Sequence, residues 1–155
     1  MDAITVLRGG HREVSRLIGL LENPAADSTN RTSSGLLVDQ LQHLLKVHSS
    51  IEERVFYPTM ARFEEATAIV QHSYLEHDAI DSLVADLSRM ESTGKAFTAK
   101  VQELSRLVSQ HISNEERVLL FLAEKQCSRA ELEEMGALME ELKQVRSQAA
   151  TRRRG

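Results

Sequence analysis

Two short segments of the sequence each carry a histidine followed four residues later by a glutamate. The first pair is His48 and Glu52, and the second pair is His111 and Glu115. On a helix, a spacing of four residues places both side chains on one face, one turn apart. Imidazole and carboxylate groups together suit divalent iron, zinc or manganese. The spacing therefore indicates a metal site.

Both segments belong to an internal repeat of the chain. The eight residues that start at His48 match the eight that start at His111 at six positions. His11 and His77 also begin matching segments, in which an aliphatic residue follows at the third, sixth, seventh and tenth positions. The chain thus resembles two copies of one helical hairpin, each with a lone histidine and a His-x-x-x-Glu pair. Such a duplication folds with approximate twofold symmetry, which would gather the polar side chains around one point.

We expect two metal ions rather than one at that point. A carboxylate in an apolar core is costly unless its charge is compensated, and no lysine or arginine occupies a comparable inward position. Six ligands are too many for one tetrahedral zinc site. The repeat divides the histidines between two ions, with Glu52 and Glu115 bridging and an oxo or hydroxo bridge added. The division is His11 with His48, and His77 with His111.

Two other interpretations of these histidines compete with metal binding. A single inward histidine is more often a hydrogen-bonded core residue than a ligand, but four of them on four helices are not independent accidents. Ferritin-like bundles place a carboxylate first, as Glu-x-x-His, which this sequence does not match. His43 and His72 each lie five residues before a proposed ligand, off the inner face, and are expected at the surface.

Four amphipathic helices are predicted to position the six residues. Breaks are expected at residues 23–34, 62–65 and 91–94. Between them, apolar residues recur at steps of three and four, which places them on one face of each helix. The predicted inner positions are Ile4, Leu7, Val14, Ile18, Leu21, Leu37, Leu41, Leu44, Ile51, Val55, Val70, Ile80, Val84, Leu87, Val101, Leu104, Val108, Val118 and Leu122. The predicted fold is all-α, an up-down four-helix bundle over residues 1–126.

A fifth helix over residues 127–149 is predicted to pack on this bundle. Ser128 and Glu131 have the spacing of a capping box, which marks a helix start. The apolar positions of this helix are Leu132, Met135, Leu138, Leu142 and Val145. Residues 150–155 are predicted to form a basic, disordered tail.

Composition excludes several classes of function. The 155 residues, 41% hydrophobic and 27% charged, suit a globular domain. A net charge of −4 argues against a nucleic-acid surface, and no apolar run is long enough for a membrane span. Cys127 is alone, so an internal disulfide or a thiolate cluster is excluded. No signal peptide is visible, so a cytoplasmic location is expected and the glycosylation pattern at Asn30-Arg31-Thr32 carries no weight.

Taken together, the motifs resemble those of the hemerythrin-like HHE cation-binding domains. The matching residues are His11, His48-x-x-x-Glu52-Glu53 with Tyr57-Pro58, Glu76-His77 and His111-x-x-x-Glu115-Glu116. The resemblance covers roughly residues 2–124, and residues 130–136 look like the added fifth helix of small stand-alone bacterial members. It implies a non-haem centre of two iron ions in a four-helix bundle. The implied ligands are His11, His48, Glu52, His77, His111 and Glu115.

The sequence departs from the family pattern at two places, and two tyrosines lie close to the motif residues. Oxygen-carrying members have a further histidine one turn before the third-helix ligand, where this chain has Ser73. Losing that nitrogen leaves an opening and argues against reversible oxygen carriage. Tyr74 and Tyr57 are expected near the site, either approaching an ion or packed with their hydroxyls satisfied nearby. Many relatives have an acidic residue just before the first histidine, where this chain has Gly9-Gly10.

The function that this resemblance implies is reaction with hydrogen peroxide, in a catalase-like manner or in stress defence. The alternative is a module that senses or binds oxygen, nitric oxide or iron without turnover. Expected partners are therefore small molecules, with no nucleic acid and no membrane. A protein partner is expected only if the domain is a sensor.

Overall fold

The computed structural model describes residues 1–24 and 33–154, and within them every regular element is helical. The α-helices are α1 (Ala3–Glu22), α2 (Ser34–Ile51), α3 (Tyr57–Met60), α4 (Thr67–Arg89), α5 (Lys95–Asn114), α6 (Phe121–Gln126) and α7 (Arg129–Arg154). The predicted all-α class is confirmed. Most of the predicted 23–34 loop, and the glycosylation pattern at 30–32, lie outside the described residues.

Two π-helical segments each join a pair of α-helices end to end, so that the seven α-helices form five continuous helical units. The first π-helical segment (Glu52–Phe56) joins α2 to α3, and the second (Glu115–Leu120) joins α5 to α6. The α1 helix packs against α2 and α5, and α4 packs against the same two helices, which closes a four-helix bundle. The fifth helical unit, α7, lies against α1 and α2 on the outside of the bundle.

The helix ends and breaks largely follow the sequence signals. Asp2 caps α1, because its Oδ1 accepts a hydrogen bond of 2.8 Å from the Thr5 amide. Ser128 and Glu131 form the predicted capping box, in which each backbone amide donates to the other side chain, at 2.8 and 3.1 Å. The chain leaves α-helical structure between Met60 and Thr67 and between Arg89 and Lys95, at the two predicted breaks.

The π-helical segments shift the inner face of the helices by one residue. A π-turn holds more residues than an α-turn, so the residues after each glutamate rotate away from the predicted period. Phe56 and Leu119 are fully buried, whereas the predicted inner residue Val118 is 40% exposed. Val55 and Leu122 are only partly buried. The predicted inner positions Val55, Val118 and Leu122 are therefore wrong by one residue.

The apolar core forms two clusters that are separated by a polar layer. On α1, Leu7 belongs to one cluster and Val14 to the other, with His11 between them. On each of the other three bundle helices a histidine likewise lies near the boundary between the two clusters, and these are His48, His77 and His111. The helices thus bring one histidine each to a single level of the bundle.

The α7 helix buries a narrower face than the sequence predicts. Met135 and Met139 are buried in the first cluster, but Leu138 and Val145 are 47% and 57% exposed. Close packing occurs at Gly136, where an added Cβ would lie 2.1 Å from the Met1 carbonyl oxygen. The helix continues to Arg154, so residues 150–154 are helical and the predicted disordered tail is wrong there.

None of the described helices is both long enough and apolar enough to cross a membrane.

Candidate metal centre

Six polar side chains converge in the layer between the two apolar clusters. They come from α1, α2, α4, α5 and the starts of the two π-helical segments. Their exposed fractions lie between 0 and 8%. They are the predicted ligands His11, His48, Glu52, His77, His111 and Glu115.

The six side chains form two groups that share both glutamates. One group adds His11 and His48 to Glu52 and Glu115, and the other adds His77 and His111. Within each group, one ligand atom from every residue lies within 4.8 Å of the others. This is the division of the histidines that the internal repeat predicts.

The inner nitrogen of each histidine faces one of the shared carboxylates. His11 Nε2 lies 3.1 Å from Glu115 Oε2, and His111 Nε2 lies 3.5 Å from Glu115 Oε1. His48 Nε2 and His77 Nε2 each lie 3.3 Å from Glu52 Oε1. The four Nε2 atoms therefore surround the space between the two carboxylates.

The outer nitrogens of three histidines are paired with further carboxylates. His11 Nδ1 lies 3.0 Å from Glu116, His77 Nδ1 lies 3.0 Å from Glu53, and His111 Nδ1 lies 2.9 Å from Glu76. Such an acceptor orients the ring and places the proton on Nδ1, which leaves Nε2 free to bind a cation. No role was predicted from the sequence for these three glutamates. The signal for them was present, since Glu53 and Glu116 occupy matching places in the repeat.

Three buried polar atoms of the site have no hydrogen-bond partner within the described residues. They are His48 Nε2 and both carboxylate oxygens of Glu52. Buried polar atoms are nearly always paired in native proteins, and each exception needs an explanation. A cation between the two carboxylates would satisfy all three atoms, so the donor set fits bound metal.

Burial and mutual repulsion disfavour two charged glutamates in the metal-free site. Burial, together with the charge of Glu115, raises the pKa of Glu52 well above its ordinary value. Burial lowers the pKa of His48 to about 3, with the neighbouring His11 adding to the effect. His48 is therefore neutral, which is the form that binds metal.

The two tyrosines named from the sequence lie at different depths. Tyr57 is fully buried, and its hydroxyl donates to Glu115 Oε1 and lies 3.2 Å from His77 Nε2. Tyr74 is 39% exposed and packs edge-on against the Tyr57 ring at 5.3 Å. Of the two tyrosines, only Tyr57 contacts candidate ligands within the described residues.

Three other residues singled out from the sequence lie outside the ligand set. Ser73 is buried, but its hydroxyl donates to the Ile69 carbonyl at 2.8 Å, one turn back in α4. His72 is exposed, as predicted, and lies 3.6 Å from Glu76. His43 is half-buried in a groove beside α7, away from the site.

Comparisons with known proteins agree with this architecture. The family model of the hemerythrin HHE cation-binding domain matches residues 2–123. No curated protein sequence matches the chain. A similar solved structure is the crystal structure of a hemerythrin HHE cation-binding domain-containing protein, the Rv2633c homolog from Mycobacterium kansasii. The two chains share 24% identity with a TM-score of 0.81, over 99% of this chain and 93% of the other.

That structural similarity extends over α7 and shows the fold. The family match covers the four bundle helices and all six converging side chains. The chain belongs to the hemerythrin HHE cation-binding domain family.

Proposed function

We propose that the six side chains hold two iron ions and that the centre decomposes hydrogen peroxide. The observation that carries the proposal is the pair of buried His–His–Glu–Glu groups that share both glutamates. One ion in each group would bring cationic charge to both carboxylates at once.

The negative charge of the surrounding glutamates favours bound cations at this site. Five glutamates surround the four histidines, namely Glu52, Glu53, Glu76, Glu115 and Glu116. In the part of the chain that the structure describes, their ion-pair partners are histidines, and no lysine or arginine pairs with any of the five. Glu52, Glu76 and Glu115 are buried, and buried carboxylates without such partners need metal or protons. Two divalent ions supply the compensation at neutral pH.

The ligand types favour iron over the harder cations. Each group offers two imidazoles and two carboxylates, a mixed nitrogen and oxygen set that suits iron, zinc and manganese and disfavours magnesium and calcium. Iron is proposed over zinc because peroxide decomposition needs a metal that changes its oxidation state, which zinc does not, and over manganese because the family resemblance implies an iron centre.

Space near the site favours a very small substrate. A gap lined by the four histidines, Glu52 and an apolar wall leaves about 20 Å³ for the centre of a water-sized molecule. That volume admits about one such molecule. The wall consists of Val14, Leu45, Ile80, Val108 and Ile112. Hydrogen peroxide is closer to this size than an organic substrate is.

Peroxide decomposition is balanced without any further reactant. One peroxide loses two electrons and two protons to give oxygen, and the other takes them up as its O–O bond breaks to give two waters. Bound iron would supply the electron exchange. The chain keeps the Tyr57 hydroxyl protonated as a hydrogen-bond donor, because burial, reinforced by the charge of Glu52, raises the pKa of Tyr57 far above its ordinary value.

Oxygen release by the iron-loaded protein tests this proposal. We expect about half a mole of oxygen for each mole of peroxide consumed, at a rate well above that of the same concentration of free iron. Oxygen release no faster than that of free iron would contradict peroxide decomposition, even if two ions were bound.

A second candidate function is sensing of oxygen, nitric oxide or iron through α7. The observation that favours it is the packing of α7 against the first π-helical segment, which carries Glu52. A change at Glu52 would then reach the outer helix directly. Hydrogen exchange over residues 129–149 should slow when iron is loaded; equal exchange with and without iron would rule out this route.

A further inference from the structure

The contacts of the site obey the twofold symmetry of the repeat in almost every pair. His11 corresponds to His77, His48 to His111, Glu52 to Glu115 and Glu53 to Glu116. His11 Nδ1 pairs with Glu116 at 3.0 Å, and His77 Nδ1 pairs with Glu53 at 3.0 Å. The inner contacts of the two halves also match within 0.2 Å, at 3.1 and 3.3 Å and at 3.3 and 3.5 Å.

One outer contact breaks this symmetry. His111 Nδ1 pairs at 2.9 Å with Glu76, the residue just before His77. The corresponding residue just before His11 is Gly10, which has no side chain. His48 Nδ1 therefore lacks the carboxylate that its counterpart has, and no hydrogen bond to it is found in residues 1–24 and 33–154. The His48 side chain is also 10% exposed, compared with 5% for His111.

The His48 ring lies in the space that a side chain at position 10 would need. A Cβ added to Gly10 would lie 2.3 Å from His48 Nδ1 and 2.7 Å from Cε1. The present position of the ring therefore depends on glycine at this place. The outer face of His48 contacts backbone where the outer face of His111 contacts a charged acceptor.

An outer carboxylate has a known effect on a ligating histidine. It fixes the ring and its tautomer and makes the inner nitrogen more basic, and its loss typically costs about 10- to 100-fold in metal affinity. Within the described ranges 1–24 and 33–154, three of the four histidines have this support, and His48 does not.

We propose that the chain binds its two metal ions unequally, with the ion at His11 and His48 bound more weakly and exchanged first. Glu76 acts as a positioning residue for the tighter ion, and Gly10 leaves the weaker ion without the equivalent support. This inference rests on the proposed two-ion centre, and it concerns metal affinity rather than turnover.

The site has a second asymmetry, at Tyr57, and its effect on metal affinity has to be separated from the effect of Glu76. Tyr57 lies beside His77, whereas the matching residue of the second half is Leu120, which has no hydroxyl. A tighter ion at His77 and His111 could therefore arise from Tyr57 instead of from Glu76. The experiment must distinguish these two sources.

Matched single-site variants provide that experiment, with cobalt(II) as the probe. His11→Ala keeps the group with His77 and His111, and His77→Ala keeps the group with His11 and His48. We expect His77→Ala to bind its remaining cobalt about 10- to 100-fold more weakly than His11→Ala. Adding Glu76→Ala to His11→Ala should remove most of this difference, while Glu76→Gln, which keeps a hydrogen-bond acceptor, should restore part of it.

Three results would contradict either the unequal binding of the two ions or the two-ion centre itself. Equal dissociation constants for His11→Ala and His77→Ala would overturn it while leaving the two-ion centre intact. A difference that survives Glu76→Ala would also overturn it, because the cause would then be Tyr57. Wild-type protein that binds fewer than two cobalt ions would remove the proposed centre itself. Circular dichroism of each metal-free variant establishes that the fold is retained.

Discussion

The two nitrogens of each candidate ligand histidine have different surroundings. Every Nε2 faces the shared glutamates, and three of the Nδ1 atoms face outer carboxylates. Because an Nδ1–H that donates to a carboxylate leaves the Nε2 lone pair free, this arrangement selects the tautomer that binds metal. The site is therefore organised for cations before any cation arrives.

At the residue scale, Tyr57→Phe removes one hydroxyl from the site and keeps the buried ring. We expect this variant to bind two iron ions but to decompose peroxide about tenfold more slowly or worse, because a fixed hydrogen-bond donor at the site is lost. Tyr74→Phe is the matched control, since its ring only packs on Tyr57. Initial rates of oxygen release at equal iron content compare the two variants. Wild-type rates for Tyr57→Phe would exclude a role for its hydroxyl.

The variant Glu52→Leu tests whether the buried Glu52 carboxyl lowers the stability of the fold while it contributes to metal binding. Glu52 is fully buried, and neither of its carboxylate oxygens has a hydrogen-bond partner among residues 1–24 and 33–154. Replacing it with an apolar residue of similar size should therefore stabilise the metal-free fold by about 1–3 kcal/mol, the cost of burying an unpaired polar group, while weakening metal binding. The control Glu64→Leu, at an exposed position, should change stability by less than about 0.5 kcal/mol. Urea unfolding of the metal-free proteins measures both; destabilisation by Glu52→Leu would contradict this view.

The stabilisation by Glu52→Leu should grow as pH rises. The folded-state pKa of Glu52 is raised above its ordinary value of 4.5, through burial first and the charge of Glu115 second. A carboxyl shifted in this direction costs little below pH 4.5, where it is protonated in both states, and costs more as pH increases toward the folded pKa. We therefore expect a larger stability difference between the variant and wild type at pH 7 than at pH 4.5. A constant difference would show that Glu52 does not titrate abnormally.

At the element scale, the π-helical segments are the feature that the sequence could not predict. The residues after Glu115 continue a regular apolar period at Val118 and Leu122, which favours an uninterrupted α-helix. Tertiary packing instead buries Leu119 and Leu120 and leaves Val118 exposed. Local sequence carries little information about this choice, because both registers present an apolar residue to the core. The converging side chains were predictable because each π-helical segment begins at Glu52 or Glu115 itself, so the shift affects only the residues that follow these glutamates.

Two glycine-to-alanine variants, one at Gly136 and one at Gly19, test the packing of α7 on α1. In Gly136→Ala the new Cβ would lie 2.1 Å from the Met1 carbonyl and 2.9 Å from Asp2 Cα, so α7 must move away from the start of α1. We expect destabilisation by about 1–3 kcal/mol. Gly19→Ala, on an exposed helical position with no atom within 4 Å of the new Cβ, should instead stabilise by about 0.5–1 kcal/mol. Thermal unfolding compares them, and an unchanged melting temperature for Gly136→Ala would contradict the close packing.

At the scale of the whole molecule, duplication explains why so much was predictable. The repeat fixed which residues correspond, and the corresponding residues meet across the bundle in two groups. The class, the four-helix bundle, the fifth helix and the convergence of six side chains all follow from patterns of period and repeat. The outer glutamates, the different depths of Tyr57 and Tyr74 and the length of α7 depend on three-dimensional contacts that no local pattern encodes.

Metal binding should also be visible in the stability of the whole domain. A ligand that binds only the folded state stabilises it by about 2.7 kcal/mol when its free concentration is 100 times its dissociation constant. Because the candidate ligands come from all four bundle helices, added iron should raise the melting temperature of the domain as one cooperative unit. A melting temperature that is the same with iron and with a chelator would be inconsistent with this coupling.

The most direct test of the two-ion centre is the ratio of iron to protein after loading under argon and removal of unbound metal. We expect about two iron ions per chain for the wild type, since the buried groups share Glu52 and Glu115, and fewer than one for Glu52→Leu. A ratio near zero for the wild type, or an unchanged ratio of two in Glu52→Leu, would contradict the account.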